Sequence, residues 1–336
     1  MDLSTRYLNL NLAHPLMPGA STLANNMDTV RRLEDAGAAA ICMPSLFEEQ
    51  IERDRLGILE REESTANSAA EAVTYFPDHS EFNLGPESYL EQIRKIRAAV
   101  SIPVIASLNG VSSSGWIDHA KLMQDAGAHA IELNIFFVAA DPEDTAGKLE
   151  DEIVAIVGNI KKAITIPVAL KLTPTFTALA NLARRVEEAG VDGFVLFNRA
   201  YQPDIDIDKL EMILPRAAAT AAELLVRVRW LSILTVQSKC SFAVSGGVQT
   251  VPDVVKSLMA GAHAVQTVSS LMQNGVGHLK TLRDGLSRWL EEHEYSSLDQ
   301  LRGSMDLRRS PDPSAFLRAS YVKALSRSAM DMQAYA

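Results

Sequence analysis

Four segments of the chain share one pattern, in which an amphipathic stretch ends in Ala-Gly and a short apolar run follows at once. They read "EDAGAAAICM", "QDAGAHAIEL", "EEAGVDGFVL" and "LMAGAHAVQT". Glycine can end a helix in the left-handed conformation because it has no Cβ. An apolar run without polar alternation is typical of a parallel strand buried on both faces. The pattern therefore predicts repeated helix-to-strand junctions, each forming the second half of a βαβ unit.

Further apolar runs bring the number of predicted strands to eight. Two of them follow proline in "SIPVIASL" and "TIPVALKL", and two more lie in "HPLMPGAS" and "SFAVSGG". The strands are predicted near residues 15–21, 39–44, 102–107, 129–135, 166–172, 192–198, 241–246 and 262–268. Eight parallel strands alternating with helices predict a closed (β/α)8 TIM barrel. Periodicity does not report closure, so an open doubly wound sheet is the alternative.

Two insertions, residues 46–100 and 201–222, interrupt the regular spacing. Both follow predicted strands, so they are expected at the C-terminal face, where TIM barrels place their active sites. In the first insertion, Gly85 and Pro86 mark a turn before a helix, and segment 75–83 is a candidate for part of a lid. In the second, Thr220 and Glu223 have the spacing of a capping box. Since no linker separates a second domain, residues 1–336 are predicted to form a single domain.

Composition narrows the partners and the compartment. A chain of 336 residues with 47% hydrophobic composition can bury a large core, and its net charge of -10 without a basic block argues against nucleic acid. Small molecules or proteins are the expected partners. The N-terminus alternates Leu8, Leu10 and Leu12 with polar residues, which predicts a strand and not a signal peptide. With no apolar run of about 18 residues, the protein is expected to be soluble and cytoplasmic, without membrane contact.

Cysteine and histidine usage predicts neither disulfides nor a metal site. Cys42 and Cys240 each sit in an apolar run, so both are expected to be buried free thiols. The seven histidines form no HxH or HExxH pair. His129 and His263 occupy the same place in two of the repeats, which favours a structural role beside the strand.

Polar residues at the ends of the predicted strands are the candidates for chemistry. Ser245-Gly246-Gly247 follows the seventh strand and Ser269 and Ser270 follow the eighth, where barrels of this kind commonly hold a phosphate. Alternatively, the glycines serve only a tight turn. Lys171 lies in the apolar run "VALKLTP", and a lysine there is costly to bury unless an anion or acceptor meets it. The remaining strand-end candidates are Ser21, Ser45, Asn109, Asn134 and Asn198, which either face one common mouth or cap loops.

The sequence resembles the dihydroorotate dehydrogenases, in particular the soluble class with an N-terminal strand pair and FMN in a (β/α)8 barrel. The opening "LSTRYLNLNLAHPLMPGAST" and the strand motifs "IPVIASLNG", "IELNI", "IPVALKLTP", "GVDGFVLFNR" and "VSGGVQTVPDVVKSLMAGAHAVQTVSSL" follow the family's order over nearly the whole chain. The resemblance implies an N-terminal β-hairpin, an FMN-dependent oxidoreductase with a small-molecule substrate, a homo-oligomer, expected as a dimer, and an electron-transfer partner protein.

The resemblance also implies roles for individual residues. Lys171 is implied as the catalytic lysine at the N1/O2 edge of the flavin, where its charge stabilises the anionic reduced ring. Asn134 and Asn198 remain of the four amides that hold orotate, and Arg199 is a candidate new anchor for a carboxylate or phosphate. The alternative for Arg199 is a salt bridge with an insertion acid such as Asp204 or Asp206. The implied FMN-binding residues are Ala20, Ser21, Ser45, Asn109, Asn134, Lys171, Gly246, Gly247 and Ser269.

The chain departs from the family in the part of the site that receives the substrate's proton. Where the family reads "N-[IL]-S-C-P-N", this chain reads "NIFFVAAD", which puts Phe137 at the position of the catalytic base and Ala139 at that of the next asparagine. Pro44 replaces the lysine beside the flavin, and the substrate loop "N-S-M-G-[LF]-x-N" is not found in "VTYFPDHSEFNLG". Phenylalanine cannot accept a proton, so we predict a flavin-dependent oxidoreductase with a different substrate.

Two alternative functions and one set of candidate replacement bases stay open. The first alternative is a non-catalytic flavin-binding or interaction protein, and the second is a flavin-free barrel enzyme that acts on a phosphate ligand. In the latter, Lys171 is a Schiff-base candidate. Asp141, Glu143 and Asp144 are candidates for a replacement base, or else acids exposed to solvent before the next helix.

Overall fold

The computed structural model describes residues 1–52, 54, 85–110, 116–199, 202–213 and 219–326. Its main sheet has eight parallel strands, which are Leu16–Pro18 (β3), Ile41–Phe47 (β4), Val104–Gly110 (β5), Ala130–Ile135 (β6), Val168–Leu172 (β7), Gly193–Leu196 (β8), Ser241–Ser245 (β11) and Ala264–Thr267 (β12). Their order in space is β3-β12-β11-β8-β7-β6-β5-β4, so the first strand lies beside the last. A backbone hydrogen bond of 3.0 Å from Ala39 N to Leu16 O bridges the remaining seam. The predicted TIM barrel is confirmed, and the alternative of an open doubly wound sheet is wrong.

Helices connect the strands and pack around the barrel. They are Met27–Asp35 (α1), Pro86–Ala99 (α2), Trp116–Asp125 (α3), Ala146–Ala163 (α4), Leu179–Glu188 (α5), Ala221–Leu234 (α6), Val251–Met259 (α7), Ser269–Asn274 (α8), His278–Glu292 (α9), Leu298–Leu301 (α10) and Ala319–Ser326 (α11). The predicted start of α2 at Gly85 and Pro86 is confirmed. So is the capping box of α6, in which Thr220 N donates to Glu223 Oε1 at 3.1 Å. No helix in the described ranges is long and apolar enough to cross a membrane.

The Ala-Gly junctions adopt the predicted geometry. Gly37, Gly127, Gly190 and Gly261 have φ values of 85°, 100°, 100° and 112°, in the left-handed region that favours glycine. Each lies two residues after the end of a helix and three or four residues before the next strand begins. The glycines therefore set the sharp return from the outer helices to the barrel.

A side chain two residues after three of these glycines fastens the preceding strand. The first ring nitrogen, Nδ1, of His129 accepts from Val104 N at 2.8 Å, and that of His263 accepts from Phe242 N at 3.1 Å. In the third repeat Asp192 Oδ2 accepts from Val168 N at 2.8 Å. The structural role predicted for the two histidines is confirmed.

An N-terminal hairpin plugs one end of the barrel. Strands Thr5–Tyr7 (β1) and Leu10–Leu12 (β2) pair antiparallel, as the resemblance implied. The side chains of Tyr7, Leu8 and Leu12 are buried against small residues that line the barrel interior, which include Ala40, Ala130, Ala169, Ala243 and Ala264. Because these alanines lie near the strand starts, the hairpin fills the N-terminal end. Any site inside the barrel must open at the opposite end.

The insertion after β8 forms a second hairpin, Asp204–Asp206 (β9) with Glu211–Ile213 (β10), which is exposed. The candidate lid, segment 75–83, lies outside the residues that the structure describes. Both cysteines are free thiols, but only Cys42 is buried. The prediction of burial is wrong for Cys240, which is half-buried because it lies just before β11 begins.

Candidate functional site

Polar side chains predicted from the sequence meet at the C-terminal end of neighbouring strands. Asn109 on β5 is the cross-strand neighbour of Asn134 on β6, and Asn134 is in turn the neighbour of Lys171 on β7. One strand further, the Oγ atoms of Ser45 and Ser107 lie 2.8 Å apart. Parallel strands in register place Asn109, Asn134 and Lys171 at one level of the barrel, and Ser45 one level deeper, with Ser107 and Glu132. Three of the predicted residues therefore lie side by side at the mouth, with Ser45 below them.

Lys171 forms a buried salt bridge. Its Nζ donates to Glu132 Oε1 at 2.9 Å, and the two side chains are 7% and 1% exposed. Glu132 lies two residues before Asn134 on β6, so both point to the barrel interior. A lysine is costly to bury without a counter-charge, and Glu132 provides it from below the mouth.

Three further groups surround the Glu132 carboxylate. Gln266 Nε2 donates to its Oε2 at 2.5 Å, and the Cys42 thiol donates to the same oxygen at 3.7 Å. Burial raises the pKa of the Cys42 thiol well above its usual value, and the charge of Glu132 acts in the same direction. Burial likewise raises the pKa of Tyr7, whose hydroxyl has no hydrogen-bond partner among the described residues. Both groups therefore stay protonated beside the single carboxylate.

Two amide oxygens of the mouth are buried without protein partners. Asn134 is 5% exposed and Gln266 is 1% exposed. Neither Asn134 Oδ1 nor Gln266 Oε1 has a hydrogen-bond partner in the part of the chain that the structure describes. A buried acceptor without a donor costs free energy, on the order of 1–3 kcal/mol. A ligand bound beside either atom would relieve this cost only by offering it a donor group.

The turn after β11 is built around two glycines in the left-handed region. Gly246 and Gly247 have φ values of 90° and 82°. A Cβ added at Gly247 would lie 2.6 Å from the backbone nitrogen of Leu224, and one at Gly246 would lie 2.7 Å from Arg227 Nη2. Both positions therefore require glycine for backbone conformation and for space. The tight turn and the predicted phosphate cradle are compatible readings of the same geometry.

Arg227 lies behind this turn and has no counterpart among the predicted site residues. It is on α6 and only 5% exposed. Its Nε donates to Ser245 O, and its Nη1 donates to Glu223 O at 2.6 Å. Burial lowers the pKa of Arg227, the nearby Glu223 opposes that shift, and Arg199 adds to it.

The other predicted cofactor residues lie around the same end. Ser269 begins α8, and its Oγ accepts from Ala219 N at 3.1 Å. Ser21 Oγ donates to Gly19 O at 3.1 Å, and both Ala20 and Ser21 are half-buried. Ser269 is thus held beside the start of α6, close to the glycine turn.

Arg199 has a different partner from the acids proposed for it. Its Nη2 lies 3.7 Å from Glu223 Oε1, at the start of α6. The alternative to an anchor role was a salt bridge with Asp204 or Asp206, and of these acids Asp206 lies 3.6 Å from Lys209 Nζ. Arg199 N donates to Asn198 Oδ1 at 2.9 Å, so that acceptor is engaged locally.

The segment that follows β6 carries no acid near the mouth's buried groups. Phe136 and Phe137 are half-buried, and Phe137 packs against the hydrophobic core. Asp141 and Glu143 are exposed, and Asp144 pairs with Lys148 at 3.0 Å. Of the two alternatives, solvent exposure before a helix holds for Asp141 and Glu143, whereas Asp144 is half-buried. Helix α4 begins after the Thr145 cap.

A polar surface cavity of about 530 Å³ lies at the other end of the barrel, beside the N-terminal hairpin. Arg6, Asn11, Lys239 and Arg302 contribute to its lining. None of the predicted site residues does, so this cavity is separate from the polar mouth.

A comparison with protein-family models gives a match over residues 82–290, more than half of the chain, to the family described as dihydroorotate dehydrogenase. The chain belongs to the dihydroorotate dehydrogenase family. Its relatives include the catalytic subunit of dihydroorotate dehydrogenase B (NAD(+)) from Thermoplasma acidophilum, which is 26% identical over 90% of this chain and 98% of the relative. The corresponding Methanocaldococcus jannaschii subunit is 30% identical over 66% of this chain and 74% of the relative. Dihydroorotate dehydrogenase A (fumarate) from Lactobacillus delbrueckii is 24% identical over 64% of this chain and 72% of the relative.

Sequence reasoning gave no role to Glu132, Gln266 or Arg227. A signal existed for Glu132, since it is an acid within an apolar strand and shares a face with Asn134. Arg227 stands four residues after the capping Glu223, between apolar residues on a helix. Gln266 carries no comparable signal, because its partner lies 134 residues away.

Proposed function

We propose that this member of the family is an FMN-dependent oxidoreductase. The observation that carries the proposal is the line of Asn109, Asn134 and Lys171 on adjacent strands, with the Gly246–Gly247 turn at the same end of the barrel. The fit of the cofactor rests on the buried Asn134 Oδ1, which lacks a donor among the described residues. It rests also on a turn in which a Cβ has no space.

Each part of the mouth has a distinct task in this proposal. The turn at Gly246 and Gly247, with Ser269, would hold the phosphate, and Asn109 and Asn134 would bind the polar edge of the ring. Bound FMN supplies hydride transfer at its N5 atom. Lys171 would balance the negative charge that reduction places on the ring, while Glu132 keeps the ammonium in place. Replacing Lys171 with Met should therefore make bound flavin harder to reduce, as a redox titration would measure.

We also propose that the substrate differs from dihydroorotate. Phe137 stands at the family's base position and packs against the core, and the nearest acids of the following loop are exposed or paired. A general base contributes a factor of about 10²–10⁴ to rate. Asn134, Asn198 and Arg199 are the residues proposed to contact the substrate, and Phe136 and Phe137 would give that pocket an apolar wall.

Two alternative functions are a flavin-free barrel enzyme, which fits the site less well, and a non-catalytic flavin-binding protein, which differs in one measurable property. A Schiff-base lysine must present its amine to the substrate's carbonyl, whereas Lys171 Nζ is engaged with Glu132 Oε1 at 2.9 Å. This argues against a flavin-free aldolase or isomerase. A non-catalytic flavin-binding protein would share the cofactor residues and differ only in lacking turnover.

The test is the visible absorption spectrum of the purified protein, followed by anaerobic reduction. We expect FMN to copurify, and a colourless protein that does not bind added FMN would refute the assignment. Dihydroorotate should bleach the flavin very slowly or not at all. Rapid bleaching would show that the proposed change of substrate is wrong. Failure of NADH and the other candidate donors to reduce the flavin would favour the non-catalytic alternative.

We propose two protein partners. Because the relatives include proteins named as catalytic subunits, an electron-transfer subunit is the first. A second copy of the chain is the other, since the exposed hairpin carries Ile205, Ile207, Leu210 and Met212 at 59%, 78%, 85% and 65% exposure. Replacing Ile207 and Leu210 together with Asp should convert a dimer into a monomer by sedimentation analysis. A wild-type protein that is monomeric at micromolar concentration would contradict the dimer.

A further inference from the structure

Arg227 is a buried cation, and its contacts within the fold only partly offset the cost of burying its charge. It is 5% exposed, and a desolvated charge is costly unless it is paired. Its nearest acid, Glu223, lies 3.9 Å from Arg227 Nη2 and 3.7 Å from Arg199 Nη2. The separation of 3.9 Å is longer than a good hydrogen bond, so Glu223 is a weak counter-charge for the Arg227 guanidinium.

This positive charge lies directly against the glycine turn. Arg227 Nε donates to Ser245 O, the carbonyl that precedes the turn. A Cβ on Gly246 would lie 2.7 Å from Nη2 and 3.1 Å from the central guanidinium carbon. The guanidinium thus occupies the space behind Gly246, on the side where any other residue would place its side chain.

We propose that Arg227 is a positioning residue of an anion subsite, which holds the Ser245–Gly247 turn and supplies the positive charge that balances the phosphate dianion of FMN. The inference rests on the proposed function. Arg227 acts through the turn and needs no direct contact with the phosphate. A guanidinium suits this task because it stays charged in a buried position and donates in several directions at once.

The competing explanation is that Arg227 only ties α6 to β11. That role would support the whole flavin site and would not distinguish a flavin with a phosphate from one without it. The ratio of the dissociation constants for riboflavin and FMN separates the two explanations, because these ligands differ only in the phosphate.

The experiment measures both dissociation constants on flavin-free full-length protein by fluorescence quenching. Arg227→Gln should weaken FMN binding about tenfold or more, as expected for loss of a charged interaction, and should leave riboflavin binding within about twofold. Arg229→Gln is the matched control, since Arg229 is exposed on the same helix and its loss changes the net charge equally. This control should change neither constant.

Glu223→Gln tests the direction of the electrostatic effect on FMN affinity. This test does not depend on whether Arg227→Gln folds. Glutamine retains the acceptor of the capping box, but it no longer neutralises Arg227 and Arg199. FMN should bind more tightly to this variant, and riboflavin should bind as before.

Three results would overturn the inference. They are equal weakening of FMN and riboflavin in Arg227→Gln, unchanged FMN binding in that variant, or an unchanged riboflavin-to-FMN ratio in Glu223→Gln. Absence of FMN binding by the wild-type protein would instead refute the proposed function itself, so the two failures are distinguishable.

Discussion

Lys171→Met tests the buried pair with Glu132 in a quantitative way. The charged atoms are 2.9 Å apart and the side chains are 7% and 1% exposed. At an effective dielectric constant of about 20, their attraction is about 6 kcal/mol. Removing one partner of such a pair costs roughly 3–5 kcal/mol, because the other charge stays buried. Gln266 still donates to Glu132 in the variant, so we expect a loss of unfolding free energy of about 3 kcal/mol, near the lower end.

The double variant Lys171→Met with Glu132→Gln removes both charges together. It should be more stable than Lys171→Met alone, because no unpaired ion remains in the barrel. We expect a coupling free energy of about 2 kcal/mol or more between the two sites. Urea unfolding of the wild type, the two single variants and the double variant at pH 7 measures it.

The surface pair of Arg184 and Glu188 is the control. Its atoms are 2.7 Å apart, nearly the same distance, but its side chains are 62% and 61% exposed. An exposed pair is worth at most about 1 kcal/mol, so Arg184→Met should change stability little. If Lys171→Met costs no more than Arg184→Met, or if the double variant is no more stable than Lys171→Met, burial does not couple this pair and the reasoning fails.

Three other changes have expected outcomes. Gly247→Val places a Cβ near Leu224 N at a φ of 82°. The variant should therefore unfold more easily and bind less FMN, as denaturant unfolding and visible absorbance would measure. Normal flavin content would contradict the phosphate cradle. Burial lowers the pKa of His14 and of His263 from 6.5 to about 4, so neutral histidine favours the fold above pH 6.5. Up to about 3 kcal/mol per histidine should be lost as pH falls from 6.5 to 4, and a flat unfolding free energy over that range would refute it. Phe137→Cys should not restore dihydroorotate oxidation. Rapid anaerobic bleaching of the flavin by dihydroorotate in that variant would disprove this prediction.

The barrel was predictable because its signals are local. Gly127 and Gly261 end helices in a conformation that only their lack of a Cβ makes inexpensive, and apolar runs follow them directly. A structural role for His129 and His263 also followed from their equal place in two repeats, although the hydrogen bonds that they accept did not. Four such junctions among eight predicted strands leave few topologies that bury every strand on both faces.

The charge pairing inside the barrel was not predictable in the same way. Glu132 meets Lys171 across 39 residues and Gln266 across 134, and both contacts depend on which side chains share a level once the sheet closes. Likewise, the sequence did not indicate that Glu223, at the start of α6, lies 3.7 Å from Arg199. Sequence patterns identify which residues face inward, but not which of them meet.

The two halves of the mouth differ in how strongly the fold constrains them. Lys171, Glu132 and Gln266 are buried between the hairpin plug and the mouth, so changing one leaves a charge or amide without its partner. Phe137 lies beyond the end of β6, where it is half-buried. A substitution there removes no buried ion and breaks no strand hydrogen bond. The proposed substrate half is therefore less constrained by buried polar partners than the Lys171–Glu132–Gln266 group, as our proposal of a retained cofactor site beside an altered base position requires.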